Sequence, residues 1–145
     1  MGGGIMKWLK KEADISNLNL MIEFVLDNVK NYIDLTRKKT YEIRLICEEI
    51  MLNIISYSYP DGKGELLAGC EFSNDDKCLT LKICDYGKEF NPIEMSLPEI
   101  SEDEDIMEKD VGGLGIFLIR NISDSVDYER KENMNILTIK KYCMC

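Results

Sequence analysis

The chain has 145 residues, the size of one ordinary domain, and its 45% hydrophobic and 8% aromatic content is that of a globular protein rather than a disordered one. Its 18 basic and 27 acidic residues leave a net charge of −9, which argues against direct nucleic-acid binding, where a basic footprint is expected. No apolar run approaches the ~20 residues of a membrane span, and the start, MGGGIMKW, has neither a secretory h-region nor a myristoylation pattern, so a cytoplasmic protein without membrane attachment is expected. In chain order, IMKWLKKEA (5–13) reads as a first strand with a basic face. Ser16 is expected to cap a helix whose Leu18, Ile22, Val25 and Val29 recur at helical spacing. A second helix is predicted from Tyr41 to about Tyr57, ended near Pro60-Asp61-Gly62.

Two strands follow. In ELLAGCEF, Leu66, Ala68, Cys70 and Phe72 alternate with more polar neighbours, and in CLTLKICD, Leu79, Leu81 and Ile83 alternate with Thr80 and Lys82. Asn74-Asp75-Asp76 supplies the turn between them. The block PEISEDEDIMEKD (98–110) carries seven acids and one lysine, a solvated loop on composition. GGLGIFLIRNIS then reads as a helix entered through glycines, and SVDYER and NILTIKKY as a closing hairpin across Lys131 to Asn133. The order β-α-α-β-β-loop-α-β-β predicts an α+β, two-layer α/β sandwich: a mixed, mostly antiparallel sheet with helices on one face, folded as one domain over 1–145.

Six cysteines (47, 70, 78, 84, 143 and 145) form no CxxC pair and the chain has no histidine, so zinc-ligand spacing is absent. The first four lie in apolar-patterned segments and read as reduced thiols acting as small hydrophobes.

Three stretches carry candidate chemistry. In EEIMLNIIS (48–56), Glu49 and Asn53 sit one helical turn apart on a narrow polar strip beside an apolar face of Ile43, Ile46, Ile50, Ile54 and Tyr57. A carboxylate and an amide at the edge of a core suit a hydrated cation or activation of a hydroxyl; a hydrogen bond along the helix flank is the bland alternative. In CDYGKEFNP (84–92), Asp85 ends a strand and Gly87 follows, suiting an exocyclic amine and the close approach of a flat ring, although Asp-x-Gly is also an ordinary turn. VGGLGIFLI (111–119) is a glycine-rich entry to a helix, able to cradle phosphates or simply to turn the chain. It matches neither GxGxxG nor the P-loop.

Taken together and in this order, Glu-x3-Asn, Asp-x-Gly and Gly-Gly-x-Gly resemble the GHKL ATPase superfamily, which shares the Bergerat fold. DYGKEFNP, in the style of D-x-G-x-x-F-[DN]-P, and the closing TIKKY resemble its anti-sigma-factor serine/threonine kinases. The resemblance implies ATP and Mg²⁺ as cofactors. It makes Glu49 the general base and Asn53 the Mg²⁺ ligand. Asp85 takes the adenine amino group with Gly87 beside the ring, and Gly112, Gly113, Leu114 and Gly115 wrap the phosphates. Residues 93–111 become the ATP lid. The implied function is an anti-sigma factor that phosphorylates a STAS-domain antagonist, with a sigma factor as second partner and a homodimer as the assembly. The mixed Ile5, Trp8 and Leu9 of the first strand, which in an open sheet has an edge or face to cover, suit that dimer. The alternatives are a nucleotide-sensing binding module of the same fold without useful turnover, and the catalytic domain of a two-component histidine kinase. Departures from the family pattern are Tyr57, where histidine is frequent, Ile136 with Thr138 two residues on, where a threonine near the adenine is common, and the acidity of the lid.

Overall fold

Alternation of apolar and polar residues at period two builds the four longer strands, and the five strands among the described residues join one sheet. The computed structural model describes residues 5–89, 91 and 119–142. The strands are β1 (Lys7–Glu12), β2 (Glu65–Ser73), β3 (Cys78–Asp85), β4 (Ser125–Lys131) and β5 (Met134–Tyr142); the helices are α1 (Leu18–Val29) and α2 (Arg37–Tyr57). The spatial order is β1-β2-β3-β5-β4, antiparallel at each of these pairings, with β1 and β4 at the edges. Residues 119–122 are helical, which is the described part of the helix expected after the glycine-rich run.

The register sorts side chains by face. Ala68 lies opposite Ile83, Cys70 opposite Leu81 and Phe72 opposite Leu79; Ile83 in turn faces Leu137, and Leu81 faces Ile139. Because successive residues point to opposite faces, all of these share one face. They pack with Met21, Ile22, Val25, Ile50, Met51 and Ile54 of the two helices in one core cluster, so the helices lie on that face. This is the α+β, two-layer arrangement expected from the sequence. Between α1 and α2, Arg44 donates to Glu23 and to Asn19. Those side chains are substantially exposed, so the pair adds little beside the apolar burial beneath it.

Element boundaries differ in two places. Ser16 does not cap α1: the Asp14 carboxylate accepts from the Ser16 backbone and hydroxyl and caps a 3-10 turn, Ile15–Asn17, that leads into the helix, whose own N-cap position is Asn17. The second helix begins at Arg37 rather than Tyr41, because Thr36 Oγ1 accepts from the Lys39 amide at 3.0 Å. Three cations in its first turn disguise that start, since acids are the usual occupants there. Tyr57 also departs from the predicted apolar face, being 45% exposed.

The closing hairpin turns through Glu132 and Asn133, both at positive φ, the backbone that matches the twist of paired strands. Cys47, Cys70, Cys78 and Cys84 are unpaired and buried, and burial pushes the Cys47 and Cys70 thiols up to about 12. They are inert apolar groups at neutral pH. No described helix is long and apolar enough to cross a membrane.

Ile50, with no exposed surface, sits on α2 where helix and sheet meet. Ile50→Ala should destabilise the fold by about 2–5 kcal/mol, the range for emptying a full-sized core site. Urea unfolding with an unchanged m-value checks this.

Candidate functional site

Strand β3 ends on the helix side of the sheet at Asp85. The register sets Asp85 between Leu66 on β2 and Asn135 on β5, and Asn135 opposite Arg130 on β4. One row of inward positions therefore carries a carboxylate, an amide and a guanidinium at the end of a sheet whose central inward positions (Ala68, Cys70, Leu81, Ile83, Leu137 and Ile139) are apolar.

Each group in the row is tied down. Asp85 Oδ1 accepts from the Gly87 amide at 2.9 Å and from Asn135 Nδ2 at 2.9 Å. Asn135 Nδ2 also donates to the Lys88 carbonyl at 2.8 Å, and its Oδ1 accepts from the Tyr128 hydroxyl at 2.6 Å and from Arg130 at 3.1 Å. Arg130 donates to the Gly87 carbonyl at 2.7 Å. Both donor hydrogens and both acceptor positions of the Asn135 amide are thereby in use.

The C-terminal end of α2 closes on the same turn. The Ser58 carbonyl accepts from the Lys88 amide at 2.9 Å. A Cβ at Gly87 would lie 2.1 Å from that carbonyl oxygen, so the contact between helix and turn requires glycine there. Tyr59 adds a second tie: its hydroxyl donates to the Glu65 carbonyl at 2.5 Å and accepts from the Tyr86 amide at 2.8 Å. The Tyr59 ring covers Gly64, where a Cβ would fall 1.9 Å from a ring carbon.

Two atoms in this assembly lack partners. Asp85 Oδ2 and Ser58 Oγ are buried and make no hydrogen bond, although each residue is only 1% exposed. Buried polar atoms are normally satisfied, and here the hydroxyl and the carboxylate oxygen face one another. Burial raises the Asp85 pKa, while the Asn135 amide, the Gly87 N–H, the nearby Ser58 hydroxyl and Arg130 pull it back. The Ser58 hydroxyl is close enough to act on the charge, yet it does not have the geometry of a hydrogen bond.

Glu49 and Asn53 lie further back on α2, Glu49 buried at 8% exposure and Asn53 half-buried. At 1.5 Å per residue, Asn53 is about 7 Å and Glu49 about 13 Å from Ser58 along the helix axis. The helix thus sets out amide and carboxylate in a line leading away from the Asp85 turn. Among the described residues no group of three or more His, Cys, Asp or Glu side chains could hold a metal. Asn53 is a plausible single ligand only for a cation that brings most of its coordination from water or phosphate. Gly112, Gly113, Leu114, Gly115 and the lid at 93–111 lie outside the described residues.

Sequence reasoning singled out Asp85, Gly87, Glu49 and Asn53; Ser58, Tyr128, Arg130 and Asn135, which the fold gathers around Asp85, were not among its candidates. Ile136 and Thr138, the positions weighed for a contact in the last strand, pair with Cys84 and Lys82 on the opposite face of the sheet. Asn135 takes the place beside Asp85. The signal was present as a polar residue at an inward position of the alternation Asn135, Leu137, Ile139. Ser58 likewise continues the buried i, i+4 stripe of Ile50 and Ile54.

A cavity of about 610 Å³ lies elsewhere, between the first half of α2, residues 121–123 and strands β3 and β5. Its described lining mixes Ile43, Ile46, Leu81 and Ile139 with Lys38, Lys39, Glu42 and Lys141, and includes none of the candidate site residues.

A carboxyl whose folded pKa lies above its unfolded value adds stability only while protonated. That contribution is complete below the unfolded pKa and disappears as pH rises through the folded one. Asp85→Asn should therefore melt higher than the parent at neutral pH, with the margin shrinking as pH falls through the carboxylate range. Thermal melts from about pH 4 to pH 8 test the sign.

A sequence profile of the histidine kinase-like ATPase domain family matches residues 12–141. No curated protein matches the chain.

Proposed function

Since the chain belongs to the histidine kinase-like ATPase domain family, we propose that it is an ATP-dependent serine/threonine kinase and anti-sigma factor that phosphorylates a STAS-domain antagonist. The single observation that carries the nucleotide reading is the unpartnered Asp85 Oδ2, a buried acceptor whose companion oxygen is fully engaged. An exocyclic amino group of adenine supplies the missing donor. From that anchor the nucleotide runs back along α2, so that its phosphates reach Asn53 and Glu49. Asn53 offers its side-chain oxygen to Mg²⁺, and Gly112, Gly113, Leu114 and Gly115 are assigned to the phosphates by the family resemblance. When bound, Mg²⁺ would supply neutralisation of the phosphate charge, with Asn53 as its protein ligand, in a chain of net charge −9.

Glu49 receives the proton of the attacking serine or threonine hydroxyl. The new bond joins that oxygen to the γ-phosphorus, the bond to the bridging oxygen breaks, and ADP departs. The burial of Glu49 favours one second reading, a nucleotide-sensing module of the same fold without useful turnover, because a base must meet the acceptor hydroxyl.

The two readings separate on matched substitutions. With labelled ATP–Mg²⁺ and the STAS protein encoded beside it, Glu49→Gln should bind nucleotide nearly as the parent does. Its phosphoryl transfer should fall about 10²–10⁴-fold, the usual contribution of a positioned base. Asn53→Ala should instead weaken the metal-dependent binding itself. Turnover in Glu49→Gln within a few-fold of the parent removes the base assignment, and a parent that binds ATP but labels no antagonist favours the sensing module.

We further propose a homodimer that uses β1. It is an edge strand, Trp8 on it is 46% exposed and Ile5 just before it 85% exposed, and the Trp8 ring covers Gly69 of β2. An open edge bearing an exposed indole is a surface that a second chain can cover. Light scattering should give twice the chain mass at high micromolar concentration, and Trp8→Glu should shift it toward the monomer. A parent that is monomeric throughout that range sinks the proposal.

A further inference from the structure

The cavity away from the Asp85 turn has an apolar floor and a charged rim. Its walls come from three places: Ile43 and Ile46 on α2, Ile122, and Leu79, Leu81 and Ile139 of β3 and β5. Ile46, Leu79, Leu81 and Ile139 are buried, so the floor is sheltered from water. It is also aliphatic, for Tyr142 is the only ring in the described lining. Lys38 and Lys39 stand exposed at the start of α2, and Lys141 lies near the end of β5. The register sets Lys141 opposite Leu79, so it continues the inward series of Leu137 and Ile139. Cations at these positions serve the fold poorly, because the start of a helix favours acids and an inward strand position favours an apolar side chain. The described lining nevertheless sets three ammonium groups against one carboxylate, Glu42, in a chain of net charge −9. Glu42 lies 3.9 Å from Lys38 and offsets only part of that charge.

We propose that this cavity binds a linear, medium-chain aliphatic carboxylate, its hydrocarbon chain held between α2 and the sheet and its charged end at Lys38, Lys39 and Lys141. A volume of about 610 Å³ is within the range of small-molecule sites. Walls of isoleucine and leucine suit a flexible chain, whereas a flat ring would be expected to meet aromatic side chains. The cationic rim is complementary to an anion, and Glu42 in the same rim repels a doubly charged phosphate more than a singly charged carboxylate. The cavity shares no described residue with the Asp85 turn, and Ile46, the lining residue of α2 nearest that turn, is about 18 Å from Ser58 along the helix axis. Its ligand is therefore testable without nucleotide.

Calorimetric titration of the full chain with hexanoate, octanoate and decanoate tests this. Affinity should rise about 3–4-fold for each added methylene, the effect of moving one such group from water to an apolar wall. Decanol keeps the chain and lacks the charge, and should bind about 3–10-fold more weakly than decanoate, the worth of two or three exposed ion pairs. The double variant Lys39→Glu/Lys141→Glu should lose that factor for decanoate and keep the parent's affinity for decanol, the non-additivity that marks a direct contact. In methyl-detected NMR, decanoate should shift Ile43, Ile122 and Ile139 and leave the exposed Ile5 unmoved. Absence of binding, or affinity indifferent to chain length, overturns the proposal. Equal binding of decanol and decanoate overturns the anionic end, and tighter binding of decyl phosphate overturns the carboxylate. Shifts confined to Ile5 and other exposed methyl groups mean adsorption to the surface and overturn the site. A short Glu- and Leu-rich peptide that shifts the cavity methyl groups when no aliphatic anion does so assigns the cavity to a protein partner instead. If the double variant fails to fold, decanoate against decanol on the parent still decides.

Discussion

A carboxylate held out of water at the end of a strand constrains this structure more than any other group. Burial disfavours the charge of Asp85, and the surrounding residues offset that cost. One oxygen is fixed by an amide hydrogen of the turn and by Asn135. Asn135 is in turn fixed by Tyr128, Arg130 and the Lys88 carbonyl. Arg130 reaches the Gly87 carbonyl and Asn135, so its positive charge acts on Asp85 from a neighbouring position. Each member is immobilised by at least two contacts. A buried polar network of this type holds its shape because partial satisfaction would be costly.

The same turn explains why α2 ends where it does. The Ser58 carbonyl binds the Lys88 amide, and glycine at 87 lets the two backbones approach. Tyr59 spans from the start of β2 to the Tyr86 amide. Helix and sheet are thus locked together at the end of the helix nearest the carboxylate, while Ile46, Ile50 and Ile54 lock them along its length. Glu49 and Asn53 therefore stand on a rigid element, with a fixed offset from Asp85. Preorganisation of that kind is what positioning chemistry needs, since phosphoryl transfer asks of a protein mainly geometry and charge neutralisation.

Charge is distributed unevenly along the chain. The acidic excess is concentrated in residues 98–110, whereas β1 carries Lys7, Lys10 and Lys11 and the start of α2 carries Arg37, Lys38 and Lys39. Among the described residues, the β1 edge strand and the start of α2 gather positive charge in a protein of net charge −9. Such asymmetry steers association and sets orientation more than it sets affinity.

The sequence by itself determined the strands, the two long helices and the pairing of the hairpins. These follow from periodicity, and period two in β2, β3 and β5 cannot be satisfied with one face buried in any other way. It also picked out Glu49, Asn53, Asp85 and Gly87, because polar residues in apolar runs and an Asp-x-Gly at a strand end are visible in one dimension. Boundaries were less legible: Asp14 capped a 3-10 turn where Ser16 was expected to cap α1, and Thr36 started α2 behind three cations that local rules disfavour. Tertiary structure alone decided which side chains meet Asp85. Asn135 is distant in sequence and reaches the carboxylate only because β5 lies beside β3 in a register that turns Ile136 to the other face. Ser58 is one hydroxyl among many until the end of α2 meets the turn at Gly87. Its missing hydrogen bond is a property of three dimensions, since whether a buried atom has a partner depends on what chain segments remote in sequence bring to it.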